Sequence, residues 1–312
     1  MKNSSIKTQI VFAMFAISGV IVGCSQQQEA KDSDTNKPEA VVDEKSSVEQ
    51  IKEQAAIEIV LSQQPLKVQA RYNARHPRQT LTFFGIKPGM TVVEALPGGG
   101  WYSKILLPIL GNEGQLIGAD YAAEMYPKFG FFSAEAVEAK KTWVDSWTKE
   151  AEAWRGEDSA RISAFQFGSM PDSMKETADM VLFVRALHNL ARFESDGGFL
   201  SSAIADAYNV LKPGGIVGVV QHHAPEDSSD EWANGSRGYL KQSFIKARMT
   251  AVGFEFVGAS DINLNPKDQP TEKDVVWRLP PTFATSGDKP ELKAQYEAVG
   301  ESSRMTLMFK KP

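Results

Sequence analysis

The chain has 312 residues, 42% of them hydrophobic, 23% charged and 10% aromatic, a composition that excludes disorder throughout and supports one sizeable core. Its 34 Lys and Arg residues stand against 39 Asp and Glu residues, and the net charge of -5 gives no electrostatic reason to expect a nucleic-acid partner. The single cysteine excludes an intramolecular disulfide and a zinc site built on several cysteines.

Residues 1–23 have the pattern of a signal peptide. Lys2 and Lys7 precede an apolar run over 10–22, which is shorter than the roughly 20 residues of a membrane-spanning helix. The run ends in Ile-Val-Gly before Cys24 and resembles the lipobox of bacterial lipoproteins. That resemblance implies a lipid on the thiol of Cys24, and Ser25 after it implies an outer-membrane location facing the periplasm. The alternative is a short buried helix that ends in a cysteine by chance.

Residues 24–46 predict a flexible tether, because they contain almost no large apolar side chains and cannot bury enough surface to offset their ordering entropy. Ser47 and Gln50 match a capping box that opens a helix running to about Ser62. We therefore expect one folded domain over 47–312 with an N-terminal helical extension.

Strand and helix patterns alternate through the rest of the chain. The predicted strands cover 91–95, 115–119, 162–167, 180–184, 216–221, 254–258 and 305–309, and the predicted helices cover 101–110, 133–154, 199–211 and 243–252. Such alternation predicts an α/β fold with a doubly wound sheet covered by helices on both faces. The insertion over 261–300 is longer than a usual connection and holds several aromatic residues and prolines. It is expected to form an ordered lid or flank over part of the sheet edge.

A nucleoside site is predicted where the first two strands end, because doubly wound sheets bind ligands beyond the carboxyl ends of their strands. Gly98, Gly99 and Gly100 remove every β-carbon from the loop after the first strand, so backbone amides can closely approach a ligand. Asp120 ends the second strand, where a carboxylate can accept hydrogen bonds from both ribose hydroxyls. The alternatives are glycines that serve a tight turn and an aspartate that forms a turn or caps a helix.

Several motifs together resemble a class I S-adenosylmethionine-dependent methyltransferase, and more narrowly a family of predicted bacterial methyltransferases that often carry export signals. The narrower resemblance covers about 71–312, nearly the whole folded domain. Its motifs are Gly85–Glu94, the glycine loop, Asp120, Ala178–Leu182 and Leu211–Gly215, with Arg75–Arg78, His188-Asn189 and Gly300–Leu307 for the narrower family.

The resemblance implies a Rossmann-like sheet of seven strands whose last strand, Met305–Phe309, is antiparallel to the rest. It implies S-adenosylmethionine as cofactor, with Glu94 orienting the loop, Gly98 and Gly100 in the glycine pattern and Asp120 on the ribose. Leu96 departs from the pattern, since it stands where the superfamily usually has its first glycine. The segment over 166–171 lacks the expected acid, so Gln166 or Phe167 is predicted to contact the adenine.

Histidines are the candidate bases for methyl transfer. His188 follows the fourth strand and His222 and His223 follow the fifth, so adjacent strands can aim imidazoles at one crevice, with His188 ahead. The alternative is that these histidines are polar loop residues without a catalytic role. Arg185 could pair with a carboxylate of the cofactor or the substrate. A position on the protein surface is the default expectation for this arginine. Adjacent histidines on an extended strand point to opposite sides, which disfavours a three-histidine metal site.

The leading hypothesis is therefore a lipid-anchored methyltransferase of an unknown small-molecule acceptor. Because the cofactor is made in the cytoplasm, it would be supplied before export or by a periplasmic pool. The alternatives are an exported domain that binds an adenosine-like ligand without turnover, and a structural envelope lipoprotein. A dehydrogenase is disfavoured, since no second glycine pair follows Gly100 at dinucleotide spacing.

Overall fold

The computed structural model describes residues 44–312. The predicted signal peptide, Cys24 and the tether up to residue 43 lie outside the described residues, and residues 44–46 of the predicted tether belong to the first helix. Within 44–312, no helix combines the length and apolar character needed to cross a bilayer.

Seven strands form one mixed sheet. They are β1 (Thr91–Ala95), β2 (Gln115–Asp120), β3 (Arg161–Gln166), β4 (Ala178–Val184), β5 (Leu211–His222), β6 (Glu255–Ser260) and β7 (Arg304–Lys310). Their spatial order is β3-β2-β1-β4-β5-β7-β6, and β7 pairs antiparallel with both β5 and β6. The predicted seven-stranded sheet with its last strand antiparallel is confirmed. The chain leaves β1 toward β3 and returns to β4 on the other side of β1, so strand order reverses between β1 and β4.

Twelve α-helices accompany the sheet in the described residues. They are α1 (Glu44–Ser62), α2 (Leu66–Gln69), α3 (Tyr72–Arg75), α4 (Pro77–Phe84), α5 (Ser103–Leu110), α6 (Ala134–Ala139), α7 (Trp143–Glu152), α8 (Leu187–Arg192), α9 (Glu194–Gly197), α10 (Phe199–Val210), α11 (Gln242–Val252) and α12 (Pro290–Val299).

Both faces of the sheet are buried because successive strand residues point to opposite sides. Val92 and Leu182 join one core cluster, which α1, α4, α5 and α7 cover, while Val93 and Phe183 join the other, beneath α8, α10 and α11. This explains why the central strands are hydrophobic at almost every position rather than at alternate ones.

The predicted helix over 133–154 is wrong in one respect, since it breaks into α6, a 3-10 turn over Lys140–Thr142, and α7. The break lets Lys140 approach the end of β2, where its Nζ lies 3.3 Å from Asp120 Oδ2. Its carbonyl meanwhile accepts a hydrogen bond from Gln166. Within α7, Trp143 and Trp147 are buried and stacked with ring centroids 5.4 Å apart.

The predicted turn over 212–215 is part of β5 rather than a connection before it. Its residues form an irregularity in the pairing with β4, because three residues of β4, from Ala178 to Met180, face six of β5, from Leu211 to Ile216. Gly214 adopts a φ of 82° there, which glycine tolerates without a steric penalty.

Gly118 and Gly258 provide a matched pair for testing the packing of helices on the sheet. A β-carbon on Gly118 would lie 2.5 Å from the Trp147 ring, whereas one on Gly258 would meet nothing within 4 Å. We expect Gly118→Ala to lower the free energy of unfolding by about 1–3 kcal/mol through overpacking. Gly258→Ala should leave it unchanged or raise it by about 0.4–1 kcal/mol, because alanine restricts the unfolded chain. Urea unfolding of both variants measures the difference, and equal effects would contradict this packing.

Candidate functional site

The candidate site lies at the carboxyl ends of β1, β4 and β5, where strand order reverses. Leu96 directly follows β1, Arg185 directly follows β4, and His222 is the last residue of β5. These three side chains line one cavity of about 240 Å³, called here the β4–β5 cavity. The remaining lining residues are Val184, His188, Val276, Trp277, Leu279, Pro280, Pro281, Thr282, Glu301 and Ser302.

The loop after β1 keeps a glycine-type backbone although its first position is a leucine. Leu96 adopts a φ of 55°, Gly98 of 54° and Gly100 of 74°. Such a conformation costs a residue with a side chain about 1–2 kcal/mol. The N–H of Leu96 donates to the carbonyl of Ala119 at 2.7 Å, which helps to hold it. The departure from the glycine pattern therefore changes a side chain and leaves the turn in place.

The three predicted glycines have different surroundings. Gly98 and Gly99 are exposed, and a β-carbon on Gly99 would meet nothing within 4 Å. Gly100 is buried, and a β-carbon there would lie 2.4 Å from the ring of Trp154. Gly98 and Gly99 thus leave open space for a ligand, whereas Gly100 allows the start of α5 to approach Trp154.

Glu94 ties the end of β1 to the first turn of α5. Its carboxyl group is buried, and the hydroxyl of Ser103 donates to Oε2 at 2.6 Å. Burial raises the pKa of Glu94 to about 7, against the opposing effect of the Ser103 hydrogen bond. This contact joins the residues on either side of the glycine loop, and the orienting role of Glu94 stays a prediction.

Asp120 ends β2 as predicted, but its carboxylate already has partners. Tyr126 donates its hydroxyl to Oδ2 at 2.6 Å, and Lys140 lies 3.3 Å from the same oxygen. Oδ1 makes no hydrogen bond within residues 44–312. Neither Asp120 nor the three glycines line the cavities described in this part of the chain. One carboxylate oxygen is therefore engaged, and one remains for a ligand.

The side-chain amide of Gln166 also has hydrogen-bond partners within the protein. Its amide nitrogen donates to the carbonyls of Tyr121 at 3.1 Å and Lys140 at 3.0 Å, so it joins the end of β3 to the segment after β2. Its predicted contact with the adenine stays a prediction. Phe167, the other candidate, lines a cavity of about 550 Å³ together with Gly168 and with Ala122 and Leu190, which follow β2 and β4.

The structure brings His188 and His222 together, with ring centroids 5.4 Å apart in the β4–β5 cavity. His223 does not line that cavity, and its backbone N–H donates to the carbonyl of Ser303. Residues 44–312 contain no group of three or more His, Cys, Asp or Glu side chains arranged to hold a metal ion.

Hydrogen bonding distinguishes the two imidazoles. The amide nitrogen of Gln221 donates to the carbonyl of Gly238 at 3.0 Å and lies 3.4 Å from His188 Nδ1. Because that carbonyl only accepts, the amide nitrogen is fixed there and Nδ1 must accept as well. The proton of neutral His188 is therefore on Nε2, which makes this atom a donor. His222 Nδ1 lies 2.6 Å from the hydroxyl of Ser302, which can donate or accept, so Nε2 of His222 can carry a lone pair.

Burial keeps both rings neutral. It lowers the pKa of His188 to about 4 and places the pKa of His222 well below its ordinary value. From sequence, with an ordinary imidazole pKa, His188 was the first candidate for the base. The hydrogen bonds make Nε2 of His188 a donor and leave Nε2 of His222 able to accept a proton, although its lowered pKa makes His222 a weak base.

Three lining residues, Glu301, Ser302 and Trp277, had no assigned place in the site from sequence, and Arg185 had a carboxylate-pairing role only as an alternative. Arg185 was expected at the surface by default, but its Nε is buried and its backbone φ is 58°. Glu301 and Ser302 lie in the Gly300–Leu307 motif, which was noted without a role for either residue. Trp277 belongs to the 261–300 segment, whose residues 276–282 supply one wall of the cavity.

No protein-family model matches this sequence, and no curated protein matches it. Among solved structures, the chain is similar to a SAM-dependent methyltransferase from Aquifex aeolicus, with 13% identity over 80% of this chain and 99% of that one and a TM-score of 0.44. An arsenic(III) S-adenosylmethionine methyltransferase from Chlamydomonas reinhardtii has 14% identity, coverage of 82% and 73%, and a TM-score of 0.40. An S-adenosylmethionine-dependent methyltransferase from Mesorhizobium loti has 13% identity, coverage of 76% and 97%, and a TM-score of 0.40.

Glu94 and His188 affect stability with opposite dependence on pH. Between about pH 4.5 and 7, native Glu94 keeps a proton that the unfolded chain releases, so its contribution falls as pH rises. Between about pH 4 and 6.5, the unfolded chain protonates His188 and the native state does not, so its contribution rises with pH. Each slope is up to about 1.4 kcal/mol per pH unit.

Glu94→Gln should therefore make the free energy of unfolding rise more steeply from pH 4.5 to 6.5 than in the wild type, and His188→Asn should make it rise less steeply. Denaturant titrations at a series of pH values give both slopes. Parallel curves for the three proteins would contradict the assigned burial.

Proposed function

We propose that this chain is an S-adenosylmethionine-dependent methyltransferase that acts on a small molecule. The observation that carries the proposal is the loop after β1. It combines a glycine-type backbone with two exposed glycines, and its first residue, Leu96, also lines the β4–β5 cavity. A cofactor held at this loop would lie beside a cavity able to hold a small acceptor.

The residues present fit the cofactor at three places. The open space at Gly98 and Gly99 admits a ligand close to backbone amides. Oδ1 of Asp120 can accept a ribose hydroxyl while Oδ2 keeps Tyr126 and Lys140, since each carboxylate oxygen has its own lone pairs. The cavity at Phe167 also has Leu190 and Phe199 in its lining and lies after β2, β3 and β4, which suits the adenine.

When bound, the cofactor supplies an activated methyl group on a sulfonium, which needs an aligned nucleophile and little else. The chain's residues supply the surroundings. Nε2 of His222 accepts a proton from the acceptor when Ser302 takes the hydrogen bond from Nδ1. Trp277 and Leu279 form part of the apolar wall that keeps water from the reacting atoms.

A second candidate function is binding of an adenosine-like ligand without turnover. The lowered pKa of buried His222 favours it, because a weakly basic imidazole is a poor proton acceptor for methyl transfer. Both candidates use the same loop, so they differ in chemistry at the β4–β5 cavity rather than in binding at β1.

Titration calorimetry of the full chain with S-adenosylmethionine and S-adenosylhomocysteine tests the binding step. We expect saturable binding that Asp120→Asn weakens about tenfold, since a charged acceptor is lost. Asp158→Asn is the matched control, because Asp158 is exposed just before β3, at the opposite end of the strands. Absence of binding in the wild type would overturn both candidate functions.

Transfer of a labelled methyl group to a small-molecule extract separates the two candidates. His222→Asn should reduce turnover at least tenfold while leaving cofactor affinity unchanged, because the variant lacks the proton acceptor. Binding without any transfer by the wild type would favour the non-catalytic candidate.

We also propose that the domain is anchored to the bacterial cell envelope through a lipid on Cys24, which the lipobox-like sequence over 21–24 supports. Cells grown with labelled palmitate should incorporate the label into the wild type and not into Cys24→Ala. An unlabelled wild-type protein that keeps its first 23 residues would refute the anchor.

A further inference from the structure

Four arginines surround a single carboxylate beside the β4–β5 cavity. Three of them contact Glu301. Arg71 Nε lies 2.7 Å from Oε1, Arg75 Nε lies 3.6 Å from the same oxygen, and Arg304 Nη1 lies 3.1 Å from Oε2. The fourth is Arg185, whose charge acts on Arg75, on Arg304 and on Glu301. The cluster therefore holds four positive charges against one negative charge.

This excess charge is buried. Arg75 and Arg304 are 7% and 3% exposed, and the Nε atoms of both, like that of Arg185, are buried without a hydrogen-bond partner in residues 44–312. Buried unpaired charge is costly unless a counter-charge is present. Burial, together with the charge of Arg185, lowers the pKa of Arg75 to about 9. The cluster therefore has too few negative charges to compensate its four arginines.

Arg185 is the arginine that faces the cavity. Within the described residues no carboxylate lies at ion-pair distance from it, since Glu301 is held by the other three. Its φ of 58° is unfavourable for arginine, and strain of this kind is kept where the surrounding structure requires it. The strained backbone turns the residue directly after β4 toward the cavity.

The other polar groups of the cavity include donors for an anion, and its one carboxylate, Glu301, is already paired with Arg71, Arg75 and Arg304. Neutral His188 has its proton on Nε2, and Ser302 carries a hydroxyl, so both can donate. Most of the remaining lining residues, including Leu96, Trp277 and Pro280, are apolar, with His222 and Thr282 as the exceptions. The volume of about 240 Å³ corresponds to roughly eight water-sized groups. A molecule that fits is small, with one anionic end and an apolar body.

We propose that the β4–β5 cavity binds a small organic carboxylate, with its carboxylate on the guanidinium of Arg185 and its apolar part against Trp277. A planar guanidinium matches a carboxylate in a two-point contact. Assigning this acid as the methyl acceptor rests on the proposed function, whereas its binding does not. The carboxylate of the cofactor's methionine end is the other possible source of the same chemistry, and the experiment separates the two.

The test uses benzoate and its neutral analogue benzamide as probes of the full-length protein, by calorimetry and by tryptophan fluorescence. Benzoate should bind at least tenfold more tightly than benzamide, because only benzoate gains a charge-assisted pair with Arg185. This comparison needs no variant. Equal affinity for the two probes would overturn the proposal.

Arg185→Asn removes the charge while tolerating the left-handed backbone, so it should fold and bind benzoate about tenfold more weakly, with benzamide unaffected. Arg78→Gln is the control, because Arg78 is half exposed, pairs with Glu58 and does not line the cavity. An Arg185→Asn variant that folds and binds benzoate as the wild type does would overturn the proposal.

Repeating the benzoate titration with saturating S-adenosylhomocysteine identifies the source of the carboxylate. Unchanged or tighter benzoate binding supports a separate acceptor, whereas competition assigns Arg185 to the cofactor and overturns the proposal. If benzoate fails to bind while S-adenosylmethionine binds, this inference alone fails. If benzoate binds and S-adenosylmethionine does not, the proposed function fails and the anion site stands.

Discussion

The site depends on two left-handed backbone turns, one at Leu96 and one at Arg185, which residues with a side chain adopt only at a cost. Leu96 follows β1 and Arg185 follows β4, and both have left-handed φ values, 55° and 58°. Since β1 and β4 are hydrogen-bonded neighbours where strand order reverses, both turns lie at the same point of the sheet. Each costs about 1–2 kcal/mol. The loop after β1 begins at Leu96, and both Leu96 and Arg185 line the β4–β5 cavity.

The arginine cluster couples parts of the chain that are far apart in sequence. Arg71 and Arg75 come from the helical segment before the sheet, and Glu301 and Arg304 come from the last strand and the residues before it. Arg304 also donates to the carbonyl of Ala74. Removing Glu301 would leave several buried positive charges without compensation, so this carboxylate holds the N-terminal extension against β7. The charge that remains uncompensated is the physical basis of the anion site.

The sheet could be predicted from sequence because its signals are local. A short β-branched run bounded by glycine and proline fixes β1, and the predicted strand at 91–95 matches the structure residue for residue. The break within 133–154 could not be predicted in the same way, because it depends on contacts of Lys140 with Asp120 and Gln166, which lie on other strands. Helical periodicity carries no information about such partners.

The site was partly predictable for the same reason. Position after a strand was enough to bring His188 and His222 together, and to place Glu94 and Asp120 at strand ends. Exposure, pairing and protonation were not readable, because they depend on tertiary neighbours. Gly100 lies against Trp154, Asp120 pairs with Tyr126, and the buried Nε of Arg185 has no hydrogen-bond partner in residues 44–312.

A crystal structure of the full chain grown with S-adenosylhomocysteine tests the central claim most directly. The account predicts ligand density against Gly98 and Gly99, with a ribose hydroxyl on Asp120 Oδ1 and the sulfur directed toward the β4–β5 cavity. A ligand bound elsewhere, or a loop that closes over Gly98 and Gly99 with its own side chains at saturating ligand, would contradict it.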